Sequence, residues 1–132
     1  MSISTLILAA ALQASPIASP DLPPVPDDLN EVQVAEFRTK LEYGYQESLK
    51  AKKLTAGCKP TQKVNDGEYY FVEVLLLTDG KGSLRQVTPI SIQCPALEKY
   101  VGEYFAREGK NNMKPTPDEK PAWRRSILKF YW

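Results

Sequence analysis

The run Tyr69-Tyr70-Phe71-Val72-Glu73-Val74-Leu75-Leu76-Leu77-Thr78, closed by Asp79-Gly80-Lys81-Gly82, decides the fold. β-Branched and aromatic residues fill it, the types that pack well on a pleated, half-buried surface. Alternation puts Tyr70, Val72, Val74 and Leu76 on one face and Tyr69, Phe71, Glu73, Leu75 and Leu77 on the other, both largely apolar. The glycines that follow tolerate positive φ, as a hairpin turn requires. A second strand is expected from about Ser83 to Gln93. Pro89 lies within it and cannot donate to a ladder, so an edge position or a bulge is expected there.

Beyond this hairpin, Pro95 opens a helix as its first residue. Leu97, Tyr100, Val101, Tyr104 and Phe105 form its apolar stripe, and Gly109 is placed to end it. Lys110 to Ala122 is a polar loop with three prolines. Trp123 to Trp132 reads as a closing strand, with Ile127, Lys129 and Tyr131 alternating against Leu128, Phe130 and Trp132.

Toward the N-terminus, Val34, Phe37, Leu41, Tyr45 and Leu49 recur at helical spacing. One helix is expected from a cap at Asp27 or Asp28 to about Leu54–Gly57, weakened at Gly44, with Lys50, Lys52 and Lys53 at its negative end. Ser15 to Pro26 holds five prolines and reads as an extended linker. Met1 to Ala14 contains the apolar run Leu6 to Leu12, well short of the roughly 20 residues that span a bilayer, followed by the small residues Ala14 and Ser15. This is the pattern of a secretory signal cut after Ala14. An apolar segment retained in the mature protein is the other reading. The expected organisation is a signal at 1–14, a linker at 15–26 and one α+β domain at 27–132, a small antiparallel three-stranded sheet packed by two helices.

Seventeen Lys and Arg stand against sixteen Asp and Glu, so a net charge of +1 supplies no field to hold a nucleic acid. Arg and Lys flank Trp123, but in a near-neutral exported chain they do not make a stacking surface for bases. The chain has no His, which removes the commonest general base together with the commonest metal ligand. Glu98, Glu103, Asp118 and Glu119 read as solvated carboxylates. The sequence thus points to a protein without catalysis, cofactor or metal. Cys58 and Cys94 are an even pair, expected to be bridged in an exported chain, with two reduced core cysteines as the other reading.

The order of elements resembles the C-terminal domain of the energy transducer TonB. The resemblance rests on Tyr70-Phe71-Val72-Glu73-Val74 with Thr78-Asp79-Gly80-Lys81-Gly82, on Ala96-Leu97-Glu98-Lys99-Tyr100-Val101, on Met113-Lys114-Pro115 and on Ile127-Leu128-Lys129-Phe130. It covers residues 67–132. Met113 stands where that family has an aromatic, and Asn111 where it has Trp. The resemblance implies a TonB-like fold and a periplasmic or secreted module whose last strand receives an extended peptide of a protein partner, an outer-membrane or other envelope protein. Its expected binding residues are Arg124, Arg125, Ile127, Lys129 and Tyr131, the two arginines pairing with partner carboxylates. The alternative is a non-catalytic accessory subunit of a membrane or envelope complex, associated with the membrane through a retained N-terminal segment.

Overall fold

The computed structural model of the chain describes residues 6–7, 22–65 and 67–132. In chain order the elements are β1 (Leu6–Ile7), a 3-10 turn (Leu29–Glu31), α1 (Tyr45–Lys53), β2 (Gln62–Val64), β3 (Gly67–Thr78), β4 (Leu84–Pro89), α2 (Pro95–Gly109) and β5 (Ala122–Tyr131). The fold is α+β, with an antiparallel sheet and two α-helices. The three expected strands are joined by the short β1 and β2, so the sheet has five strands rather than three. β3 is central. β5 runs along one side of it from Tyr69↔Tyr131 to Thr78↔Ala122, while β4 and the short β2 share the other side, and β1 lies outside β4.

The two apolar faces of β3 are explained by two layers of cover. Tyr70, Val72, Val74 and Leu76 join Val87, Leu128 and Phe130 beneath Leu97, Val101, Tyr104 and Phe105 of α2. On the opposite face Leu75, Leu77, Ile90 and Trp123 pack with Val32, and Leu22 and Leu29 lean against them. The linker end is therefore docked: Trp123 Nε1 donates to the Pro23 carbonyl at 3.1 Å. The remainder of the expected signal and linker, residues 1–5 and 8–21, lies outside the described residues.

The expected long helix over 27–54 is corrected. Only Tyr45–Lys53 is α-helical, starting immediately after Gly44, whose amide donates to the Glu47 carboxylate at 3.2 Å. Residues 33–39 run instead across the edge of β5 and the loop after α2. Ala35 N donates to Arg125 O, Arg125 N to Gln33 O, and Arg38 N to Asn112 O. These tertiary backbone bonds replace the local helical ones. Val34, Tyr45 and Leu49, expected on a buried stripe, are exposed.

Cys58 and Cys94 form a disulfide, with Cα atoms 5.5 Å apart. It ties the turn after α1 to the residue that precedes α2. Such a bond belongs to an oxidising, non-cytoplasmic environment. No helix among the described residues is long and apolar enough to cross a membrane.

Candidate functional site

In an antiparallel pair, the backbone groups of successive residues point alternately toward and away from the neighbouring strand. Trp132 exchanges bonds with Glu68 across the β3 side at 2.8 and 3.2 Å, so the even-numbered residues of β5 face inward. The odd-numbered ones face outward. At Arg125 that outward row is closed by the chain itself, through Gln33 O at 2.9 Å and Ala35 N at 2.8 Å. From Ile127 through Lys129 to Tyr131 it has no backbone partner among the described residues. An edge of this kind is a template for an added strand.

The side chains of those three residues lie on the sheet face opposite α2. Ile127 and Tyr131 are exposed apolar groups. Tyr131 packs on Tyr69 with ring centroids 4.4 Å apart, and Lys129 Nζ lies 5.6 Å from the Phe71 centroid. Gly67 makes room for this, because a Cβ there would meet the Tyr131 ring. On the helix side, the edge adjoins a groove of about 410 Å³ lined by Phe37, Leu41, Tyr43, Tyr104, Phe105 and Leu128, among others. Tyr104 donates its hydroxyl to the Glu42 carbonyl at 2.6 Å. Burial, reinforced by the nearby Glu108 carboxylate, pushes its pKa up to about 12, so it stays neutral.

Of the five expected binding residues, Ile127, Lys129 and Tyr131 lie together on the open edge. Arg125 is in the same row, but its backbone is already paired. Arg124 has an inward backbone, and its Nη1 donates to the Trp123 carbonyl at 2.9 Å. The groove escaped the sequence reading because Phe37 and Leu41 have helical spacing while the chain there is not helical.

Two of the carboxylates expected to be solvated have structural partners. Glu98 is only 4% exposed. Its Oε2 accepts from Cys94 N at 2.9 Å and Ile92 N at 3.2 Å, satisfying donors at the start of α2. Asp118 accepts from Lys120 N and Thr116 Oγ1, both at 3.1 Å, and these bonds hold its pKa below the usual carboxylate range. Glu98 is thus a buried helix-start acceptor, while Asp118 stays exposed and braces its loop. No family model, curated protein or solved structure matches the chain.

Proposed function

We propose that this chain is an exported, TonB-like binding module that takes up an extended segment of an envelope protein along the outer edge of β5. The observation that supports this reading is the outward row of Ile127, Lys129 and Tyr131, whose N–H and C=O groups have no backbone partner among the described residues. A peptide laid there extends the sheet through main-chain bonds and gains specificity from the side chains beside it. The aromatic face at Tyr69, Phe71 and Tyr131 and the groove beyond Leu128 supply apolar neighbours for its alternate side chains. Arg124 and Arg125 stand at the closed end, where partner carboxylates are recognised as the peptide leaves the edge.

Lys129→Pro tests this. The Lys129 amide points away from β3, so proline removes an outward donor and leaves the β3–β5 ladder intact. Lys129→Ala removes the charge and keeps the donor. The reading expects Lys129→Pro to fold normally and to lose partner capture from envelope extract by about tenfold or more, with Lys129→Ala nearly silent. A folded Lys129→Pro protein that captures its partner as well as the parent does would refute it.

The accessory-subunit reading is favoured by one observation. Leu6–Ile7, inside the segment read as a signal, pairs with β4 as part of the sheet. A protein that keeps this segment in its mature form would fit that second role.

A further inference from the structure

We propose that the outer edge of β4 is a second strand acceptor, filled by the chain's own Leu6–Ile7 while the N-terminal segment is attached and open to an extended aliphatic peptide once that segment is removed. This edge is on the opposite side of the sheet from the β5 edge, and the proposal does not depend on capture there.

Ile90 N donates to Glu73 O at 2.8 Å, which sets the alternation along β4. Gln86 and Thr88, paired with Leu77 and Leu75, bond inward to β3. Val87 and Pro89 face outward. In the register Leu6↔Val87 and Ile7↔Gln86, Leu6 therefore exchanges backbone bonds with Val87, and Ile7 turns its own groups away. Pro89 has no N–H to offer, so the row ends there and admits only a short segment. This accounts for a proline in a strand that is otherwise well paired: its missing donor falls on the side that β3 does not use.

The surroundings of Val87 point to the chemistry the edge takes. Val87 belongs to the apolar cluster that α2 covers, so the backbone edge beside it borders the core. Val87 itself is fully buried. A charged residue placed there loses its water without a partner, whereas an aliphatic one adds to the core. The sequence supplies two aliphatic residues at this point, within a run that ends in the small residues Ala14 and Ser15, where a signal peptidase would cut. Cutting there would remove the occupant and leave the Val87 N–H and C=O unpaired.

Amide exchange at single residues tests the proposal on the oxidised full chain and on a chain beginning at Ser15. In the full chain the Val87 amide exchanges slowly. In the shorter chain it exchanges about tenfold or more faster, while Gln86 and Thr88, which bond to β3, stay slow and show that the sheet is intact. A synthetic peptide of residues 3–10 with a lysine tag for solubility then slows Val87 again. The same peptide N-methylated at Leu6 fails to do so, and one N-methylated at Ile7 succeeds. Fast exchange of Val87 in the full chain, slow exchange in the shorter chain without peptide, or equal action of the two methylated peptides would each overturn the proposal. Simultaneous loss of protection at Gln86 and Thr88 would also overturn it, since the segment would then be part of the core rather than a removable occupant. Lys129→Pro should leave all of these results unchanged, which separates this edge from the other.

Discussion

Gly80 and Gly67 each exclude a Cβ, but what stands in the way differs. Gly80 has φ +87° and lies against the backbone of Lys120. That backbone is fixed, because Thr116 N donates to Gly80 O at 3.0 Å and Lys120 N to Asp118 Oδ1 at 3.1 Å. Gly67 lies under the ring of Tyr131, the far end of a side chain that is 56% exposed and free to swing outward. Gly80→Ala should therefore cost about 1–3 kcal/mol in urea unfolding, through positive φ and an immovable neighbour. Gly67→Ala should cost about 1 kcal/mol or less, mainly the loss of the Tyr69–Tyr131 contact. The reverse order would contradict this account. Gly80 was legible in the sequence because a turn glycine answers to its immediate neighbours. Gly67 was not, since the ring above it arrives from the last strand.

The helices show when a periodic pattern can be trusted. In α2 the stripe Leu97, Val101, Tyr104, Phe105 coincides with the face that β3 and β5 bury, so local and tertiary demands agree. In 33–44 they conflict, because Gln33–Ala35 gains backbone bonds on β5 that a helix would forfeit. Periodicity cannot register that competition. Pro95 marked the start of α2, but no periodic pattern shows Glu98 reaching back to amides that precede the helix. Glu98→Ala would leave the Ile92 and Cys94 amides short of an acceptor and should destabilise the protein by about 1–3 kcal/mol. Glu98→Gln keeps a carbonyl acceptor and should cost less. Thermal melts of both variants check the order; equal losses would mean that the side chain matters through packing and not as an acceptor.

For the molecule as a whole, the disulfide is the tie that local contacts do not replace. It closes a separation of 36 residues, and in the chain-entropy model a loop of that size is worth about 4 kcal/mol. Reduction, or Cys58→Ser with Cys94→Ser, should lower unfolding stability by about that amount in denaturant titration; a change under about 1 kcal/mol would show that the folded state holds the two segments together unaided. The open edge was only half legible at this scale. Alternation in Trp123–Trp132 showed which side chains share a face, but not which strand would lie beside β5 or how far it would be covered. Gln33–Ala35 supplies that limit, and it has a kinetic consequence for the proposed capture. Three outward residues, Ile127, Lys129 and Tyr131, carry three N–H and three C=O groups between them. Six bonds at about 0.5–1.5 kcal/mol net each, set against about 4 kcal/mol or more of lost freedom on association, leave about 5 kcal/mol at most, a dissociation constant of roughly 0.2 mM or weaker. With association rates of about 10⁵–10⁷ per molar per second, a peptide held by these bonds alone leaves within roughly 50 ms, so this edge is suited to repeated brief engagement rather than to permanent assembly.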